Sequence, residues 1–268
     1  MTRAPLLDAH NHLHDSRLLR WRSEIIGELP RLDIGRAVVN GTREDDWAQV
    51  ASLAAEHRWV IPSFGLHPWH VNNRSPAWRE NLTQALDAHG GAGVGEIGLD
   101  RWIEGNDPAA QAECFRWQLD LAATRNLPAT IHCVRAWGAL WDILRDTAVP
   151  ARGFLLHAYG GPVEMVKGFI GRGAYFSFSP YFLHERKSPQ RDIFRQLPAD
   201  RLLVETDAPD LAPPPERNPR PLLSEDGKIL NHPANLVLAY DALGEIRRMS
   251  REELATQVAG NFGRLFGE

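Results

Sequence analysis

Eight short apolar runs recur along this 268-residue chain, and segments with helical periodicity separate most of them. Parallel strands need long crossover connections, usually helices, so regular alternation of short buried strands with helices predicts a parallel sheet. Eight such units fit an α/β fold of the TIM (β/α)8 barrel type. We expect residues 1–268 to form a single domain of this kind. The apolar runs lie at residues 6–9, 37–40, 60–65, 93–97, 129–132, 154–157, 174–178 and 202–205.

The segments between the runs carry the usual punctuation of helices. Proline stands near the start of several, and glycine or asparagine stands near the end. After the eighth run, residues 209–233 are rich in proline and lack periodicity, which predicts a long loop before two final helices. The last helix should open with Ser250 and Glu253, a capping-box pair. The other helix candidates are residues 44–57, 76–88, 108–126, 136–146, 162–171 and 189–196.

Side chains that bind metals stand at the ends of five of the apolar runs. In a TIM barrel, active sites collect at the carboxyl ends of the strands. Imidazole nitrogens and carboxylate oxygens are suitable ligands for divalent metals, but six of them are too many for one tetrahedral ion. The set suits two ions that share a bridging carboxylate, an arrangement used in hydrolysis. The candidates are His10, His12, Glu96, His132, His157 and Asp207.

Four of the candidates also have an ordinary structural interpretation. His132 and His157 are compatible with satisfied core histidines, and Glu96 is compatible with an ion pair to Arg101. Asp207 suits the start of an Asx turn. Any one of these interpretations is acceptable alone, whereas all the candidates together at strand ends favour a metal centre.

Three glycines imitate a dinucleotide-binding motif. Gly93, Gly95 and Gly98 have the spacing G-x-G-x-x-G. That motif must follow a strand and open a helix, whereas here it lies inside a predicted strand that also carries Glu96. We therefore reject a Rossmann site and expect the glycines to allow close packing.

Charge and cysteine content narrow the class of protein. The formal net charge of −4 argues against a broad basic surface for nucleic acid, although a local pocket with metal ions stays compatible with it. Only Cys114 and Cys133 are cysteines, so no disulfide framework is expected. The sequence has no apolar signal stretch and no run of membrane-spanning length. These features predict a cytoplasmic protein without a membrane partner.

A set of short motifs is shared with a known family. They are Asp8-Ala9-His10-Asn11-His12-Leu13, Gly65-Leu66-His67-Pro68, Gly95-Glu96-Ile97-Gly98-Leu99-Asp100, Ile131-His132-Cys133, His157 and Glu205-Thr206-Asp207-Ala208-Pro209. Together they resemble the TatD family of metal-dependent deoxyribonucleases, which are TIM barrels of the amidohydrolase superfamily. The resemblance extends to the last helix. It implies a divalent-metal hydrolase in which the six candidates bind metal. It also implies that the substrate is DNA, which is cut at its phosphodiester bonds, often from the 3′ end.

The resemblance and the chemistry of the site assign roles to individual residues. We expect Glu96 to bridge two divalent ions, and Asp207 to bind one of them and accept the proton of the attacking water. Zinc, manganese and magnesium all fit such ligands. His67, Arg135 and Lys228 are candidates for holding the scissile phosphate. The expected partner is DNA, as a single strand or at a 3′ end.

Some positions depart from the usual pattern of the family. Val134 stands where arginine is usual, and residues 158–161 and 229–230 also differ. These positions would touch substrate and not metal. Other amidohydrolase reactions, on lactones, amides or phosphotriesters, therefore remain an alternative. A metal-stabilised scaffold in a larger complex is a further alternative, although a scaffold has no need of a water-activating Asp207.

Overall fold

The computed structural model describes residues 3–267, and it contains all eight predicted strands. These are β1 (Leu6–Asn11), β2 (Ile34–Asn40), β3 (Val60–Phe64), β4 (Gly93–Asp100), β5 (Ala129–Val134), β6 (Phe154–Leu156), β7 (Ala174–Phe178) and β8 (Leu202–Val204). They form one sheet in the order β1 to β8, with parallel pairing. Eight parallel strands that alternate with helices are the arrangement of a TIM-barrel fold, so the predicted fold class is confirmed.

The strands are short apolar segments buried along their whole length or nearly so. Every residue of β1 and of β4 is buried. Strands of parallel sheets are covered on both faces, which explains why these runs are nearly continuous in apolar residues. The polar exceptions include Asp8, His10 and Glu96, which are also buried. Burial of a charged or polar side chain is costly unless the side chain has a partner, so these residues are candidates for a functional site.

Helices fill the connections, and the six candidates are confirmed with small shifts at their ends. One helix was not among the candidates. This is the first, whose seven residues begin without a side-chain cap hydrogen bond, so its sequence signal is weak. The helices are α1 (Arg22–Glu28), α2 (Trp47–Glu56), α3 (Trp78–Ala88), α4 (Pro108–Arg125), α5 (Trp137–Asp146), α6 (Val163–Gly171), α7 (Ser188–Gln196), α8 (Leu236–Arg247) and α9 (Arg251–Phe266).

Helix ends follow the predicted punctuation. Before α4, the carboxylate of Asp107 accepts hydrogen bonds from the backbone of Ala109 and Ala110, both 3.0 Å long. Asn126 ends the same helix in the left-handed conformation, with φ of 50°. At α9, the backbone N–H of Ser250 donates to Glu253 Oε2 at 2.8 Å and the hydroxyl of Ser250 accepts from the backbone of Glu253 at 3.2 Å. The predicted capping box is therefore present.

The described chain divides into two compact units. One contains residues 3–39 and 176–263, with β1, β8, α1, α7 and α8. The other contains residues 40–175 and 264–267, with β3 to β6 and α2 to α6. The expectation of a single domain stays a prediction.

In the first unit, backbone hydrogen bonds join the end of β1 to the segment after β8. The N–H of His12 donates to the carbonyl of Ala208 at 2.7 Å, and the N–H of Asp207 donates to the carbonyl of His10 at 2.9 Å. This pairing brings the carboxyl ends of the first and eighth strands side by side. It places two predicted metal-binding segments next to each other.

The proline-rich segment after β8 contains more structure than the sequence suggests. A two-stranded antiparallel hairpin forms within it, from β9 (Leu222–Leu223) and β10 (Ile229–Leu230). Asn231 then anchors the segment, because its side-chain amide donates to the carbonyl of Thr206 at 2.7 Å. The segment is thus tied back to the end of β8.

Two remaining expectations concern cysteines and membranes. Cys114 and Cys133 are both free and buried, and burial raises the pKa of both thiols. Among residues 3–267, no helix is both long enough and apolar enough to cross a membrane.

Candidate metal centre

Three of the predicted ligands lie together in the unit of residues 3–39 and 176–263. His10 belongs to β1 and His12 directly follows it, two positions on, so both side chains share a face. Their Nε2 atoms lie 3.2 Å apart. Asp207 Oδ1 is 3.1 Å from Nε2 of His10 and 3.4 Å from Nε2 of His12. All three side chains are buried, so two ring nitrogens and one carboxylate oxygen converge on one point.

A buried carboxylate holds this first cluster in shape. Asp8 Oδ2 accepts from the hydroxyl of Thr206 at 2.6 Å and from the side chain of Asn11 at 3.0 Å, while Oδ1 accepts from the backbone of Thr206 at 3.0 Å. Burial raises the pKa of Asp8 to about 7, against the opposing effect of these hydrogen bonds. Asp8 therefore links β1 to the segment that carries Asp207, which itself has a left-handed backbone, with φ of 56°.

Three other predicted ligands lie together in the unit of residues 40–175 and 264–267. Glu96 belongs to β4, His132 belongs to β5 and His157 directly follows β6. Glu96 Oε1 lies 2.9 Å from His132 Nδ1 and 2.9 Å from His157 Nε2. The two ring nitrogens are 3.2 Å from each other. This second cluster again brings two imidazoles and a carboxylate to one point.

The position of the proton on His132 follows from Asp100, the last residue of β4. Burial raises the pKa of Asp100, but hydrogen bonds from His132, Trp69 and the backbone of Trp102 outweigh it and hold the pKa at about 2. An ionised carboxylate only accepts hydrogen bonds. His132 Nε2, 2.9 Å from Asp100 Oδ2, must therefore be the donor. In the neutral ring this leaves the lone pair on Nδ1, which faces Glu96.

The second cluster consequently fits a cation. A lone pair on His132 Nδ1 would be 2.9 Å from a carboxylate oxygen that also only accepts, so a positive charge must lie between them. Without metal, a proton can take this place, and the pKa of His132 is raised: burial lowers it, but the hydrogen bonds to Asp100 and Glu96 prevail. Imidazole and carboxylate oriented by an outer carboxylate form the ligand arrangement common at catalytic metal sites.

His67 lies in the same cluster, where it was predicted only as a substrate contact. Its Nε2 is 3.5 Å from Glu96 Oε1, and its ring is buried. The backbone N–H of Trp69 donates to His67 Nδ1 at 3.2 Å, so the ring proton is on Nε2. Burial lowers the pKa of His67 to about 4, against the attraction of Glu96. His67 is therefore a neutral hydrogen-bond donor that points at the Glu96 carboxylate.

Glycines allow the backbone around Glu96 to pack this closely. A Cβ atom on Gly95 would lie 2.8 Å from the side chains of both Ser63 and Thr130, and one on Gly65 would lie 2.8 Å from the carbonyl oxygen of Glu96. Gly98 has φ of 143°, and a side chain there would collide with the backbone of His132. The glycine motif thus lies within β4 and serves packing, in agreement with the rejection of a dinucleotide site.

The other two predicted substrate contacts lie on the surface. Arg135 directly follows β5, is exposed, and has a left-handed backbone with φ of 54°. Lys228 lies in the hairpin turn before β10, its side chain is 80% exposed, and its Nζ is 2.6 Å from Asp226 Oδ2. Within residues 3–267, neither residue has a hydrogen bond or an ion pair with the predicted metal ligands. Their roles remain predictions.

Sequence reasoning missed Asp100 as a member of the site. Asp100 was visible in the motif Gly-Glu-Ile-Gly-Leu-Asp, four positions after Glu96 on the same strand. Alternation along a strand puts positions four apart on the same face. That spacing was the available signal, but the partner of Asp100 on β5 is a tertiary feature that the sequence does not display.

The chain is similar to known proteins in sequence and in fold. The profile of the family described as TatD related DNase matches residues 7–267. A protein of Escherichia coli K12, the metal-dependent hydrolase YjjV, is 31% identical over 266 residues, which cover 97% of each chain. The 3′-5′ ssDNA/RNA exonuclease TatD of Erwinia tasmaniensis is 29% identical over 263 residues, covering 97% of this chain and 99% of the relative. The crystal structure of E. coli YjjV superimposes with a TM-score of 0.86 at 26% identity and covers 98% of both chains.

Proposed function

This chain belongs to the family of TatD-related DNases and is a metal-dependent hydrolase, and from that premise we propose that it cuts the phosphodiester bonds of single-stranded DNA. The proposal joins three elements: a pair of divalent ions, a proton acceptor at Asp207, and a strand end as substrate. Each is supported by a separate feature of the described residues.

The first element is a pair of metal ions. Each cluster offers two imidazole nitrogens and one carboxylate oxygen, with donor separations between 2.9 and 3.4 Å. We propose that His10 and His12 hold one ion, that His132 and His157 hold the other, and that Glu96 bridges them. Support for the bridge comes from the sequence, because all these residues stand at the carboxyl ends of strands, where parallel sheets of this type collect their sites. Zinc, manganese and magnesium are the candidate metals.

The second element is the proton transfer. A divalent ion bound by such ligands supplies Lewis acidity toward water and toward phosphate oxygens. The carboxylate of Asp207 would accept the proton of the attacking water, because an ionised carboxylate at a metal site is a suitable general base. His67 stays a proposed contact to the scissile phosphate, because its ring lies in the second cluster beside Glu96. Arg135 and Lys228 add positive charge on the substrate side.

The third element is the form of the substrate. The net charge of −4 does not favour a grip along the length of a duplex. A strand end or a short single strand requires only a few phosphate contacts. The relative from Erwinia tasmaniensis bears the name of a 3′-5′ ssDNA/RNA exonuclease, so RNA is the second substrate to be tested.

One observation supports the proposal most strongly: ring nitrogens of His132 and His157 each lie 2.9 Å from the same carboxylate oxygen of Glu96. The test is a cleavage panel with purified protein, stripped of metal and reloaded with Mg²⁺, Mn²⁺ or Zn²⁺. Single-stranded DNA, RNA, and ester, lactone and amide compounds are offered under each condition. We expect metal-dependent release of nucleotides from single-stranded DNA. If the protein hydrolyses a lactone or an amide and cuts no nucleic acid with any metal, it catalyses another amidohydrolase reaction and the proposal is wrong.

A further inference from the structure

Two arginines stand side by side just beyond the second cluster. Asp100 of β4 is aligned with Val134 of β5, and the backbone N–H of Arg101 donates to the carbonyl of Val134 at 3.0 Å. Arg101 and Arg135 therefore follow directly paired positions at the carboxyl ends of neighbouring strands. Both side chains are exposed. Their two positive charges lie at the edge where the predicted ligands Glu96 and His132 emerge.

These arginines differ from many others in the part of the chain that the structure describes. Across residues 3–267, neither Arg101 nor Arg135 has a carboxylate oxygen within ion-pair distance. By contrast, Arg17, Arg79 and Arg125 each lie within 2.8 Å of a carboxylate oxygen. Unneutralised guanidinium groups on an acidic protein are available for an anion from outside. Phosphate is one of the anions whose geometry the guanidinium group matches, because both can form two parallel hydrogen bonds.

Two exposed tryptophans flank the same edge. Trp102 is 60% exposed and Trp69 is 44% exposed, although indole rings usually lie mostly buried. Both are held by Asp100: the indole N–H of Trp69 donates to Oδ2 at 2.7 Å, and the backbone N–H of Trp102 donates to Oδ1 at 2.6 Å. The carboxylate that orients His132 therefore also presents two indoles to solvent.

We propose that Trp69, Arg101, Trp102 and Arg135 form a strand-binding rim, in which the indoles stack on unpaired bases and the guanidinium groups bind phosphates of a single-stranded nucleic acid. Alternating aromatic and cationic groups are the usual means of binding single strands without sequence preference. Connection to the site is direct, because the ring centroid of Trp69 is 5.1 Å from that of His67 and 6.5 Å from that of His132. This inference rests on the proposed function, because the rim positions the nucleotides beside the phosphodiester bond that is cut.

The chain contains a matched control for this rim. Arg58-Trp59 repeats the dipeptide Arg101-Trp102, but it precedes β3 and thus lies at the amino end of a strand. Arg58 is exposed and Trp59 is partly exposed, with its ring stacked on His57 at 5.7 Å. The double variant Arg58→Ala/Trp59→Ala removes the same chemical groups from the opposite edge of the sheet.

The experiment measures binding of metal-loaded, full-length protein to a phosphorothioate single strand of about ten nucleotides, a length within the range that one binding site covers. Stacking on one base contributes enough that Trp102→Ala should weaken binding by about tenfold or more. Trp102→Tyr should recover part of the loss. Arg101→Ala should lower the slope of log affinity against log salt by roughly 0.7, as expected for one lost phosphate contact. The Arg58→Ala/Trp59→Ala variant should bind like wild type.

An abasic strand of equal charge separates stacking from other effects. Wild type should bind the abasic strand less tightly than the normal strand, and Trp102→Ala should cause no further loss on it. Any one of four results would rule out the rim. These are an equal loss of affinity for both strands in Trp102→Ala, normal affinity of Trp102→Ala, equal weakening in the control variant, or no binding of the strand by wild type. A dimer that Trp102→Ala converts to a monomer, with unchanged strand affinity, would identify the indole as a self-association contact and also overturn it.

The same experiment distinguishes the rim from the proposed function. If wild type cuts DNA but its affinity does not depend on the rim residues, the rim is wrong and the function stands. If wild type binds the strand through the rim but cuts no phosphodiester, the proposed function is wrong and the rim stands.

Discussion

Asp100 Oδ2 accepts a hydrogen bond of 2.9 Å from His132 Nε2, and through this contact a residue outside the predicted ligand set fixes which nitrogen of His132 faces Glu96. In the other tautomer, with the proton on Nδ1, an N–H would point at the position that we propose for the cation. A carboxylate behind a metal-binding histidine both selects the tautomer and strengthens the ligand. Asp100 is therefore a positioning residue for the second cluster.

Replacing Asp100 by asparagine tests this role. The substitution Asp100→Asn keeps the size of the side chain but removes its charge, so we expect affinity for Mn²⁺ to fall by about 10- to 100-fold, the usual effect of losing such an outer partner. The pKa of His132 in metal-free protein should also fall, because Asp100 raises it. Calorimetric metal titration and NMR titration of the histidine measure the two effects.

Asp120→Asn is the matched control, since Asp120 is an exposed carboxylate on α4. It should change neither metal affinity nor the pKa of His132. If Asp100→Asn binds Mn²⁺ like wild type and leaves the pKa of His132 unchanged, Asp100 does not position the ring.

Asp207→Asn tests the proton acceptor. Asparagine is nearly the same size but cannot take a proton, and losing a general base lowers turnover by roughly 10²- to 10⁴-fold. The contacts of Asp207 with His10 and His12 support our proposal that it is also a metal ligand, so we expect the larger end of this range. Turnover of single-stranded DNA and the melting temperature are measured together. Near-normal turnover in a folded variant would show that another group accepts the proton.

The low pKa of His67 makes the stability of metal-free protein depend on pH. The folded value is about 4 and the ordinary value is 6.5. Between these two pH values the unfolded chain binds a proton that the folded protein does not bind, so stability falls as pH drops through this window. By about pH 5 the loss reaches about 2 kcal/mol, since one pKa unit corresponds to roughly 1.4 kcal/mol.

His67→Gln removes this contribution, because glutamine does not titrate. Urea unfolding of metal-free wild type and variant at about pH 7 and about pH 5 provides the comparison. The wild type should lose more stability than the variant between these conditions. Parallel losses in both proteins would mean that His67 is not held neutral by burial.

The choice of substrate is tested with three forms of one DNA sequence: a linear single strand labelled at its 3′ end, its blunt duplex, and a circular single strand. We expect the linear strand to be cut fastest and the duplex more slowly, because the reacting end must leave the base stack. The circle should resist cleavage. Rapid cutting of the circle would rule out the requirement for an end.

The sequence predicted best those features that depend on residues close together in the chain. The runs predicted at residues 93–97 and 129–132 are β4 and β5, which begin where they were predicted and end two or three residues later. Helix punctuation acts within a few positions in the chain, so the helix predicted from residue 108 begins at Pro108 and the predicted capping box at Ser250 is present. The ligand types at strand ends were visible for the same reason.

The remainder depended on contacts between distant segments. The hydrogen bond from His132 to Asp100 joins residues 32 positions apart. The proximity of His67 to Glu96 depends on the close approach of β3 to β4 that Gly65 permits. The hairpin formed by β9 and β10 consists of two residues on each side, too short for any periodicity to register. A sequence pattern does not contain these pairings, because they depend on packing across the sheet.

The number of metal ions that restores activity is the decisive measurement for a binuclear centre. Protein stripped of metal is titrated with Mn²⁺ while bound metal and cleavage of the labelled single strand are measured on the same samples. We expect no cleavage without metal, and activity that reaches its maximum only when two ions are bound per chain. Full cleavage by protein that holds one ion or none would contradict this expectation.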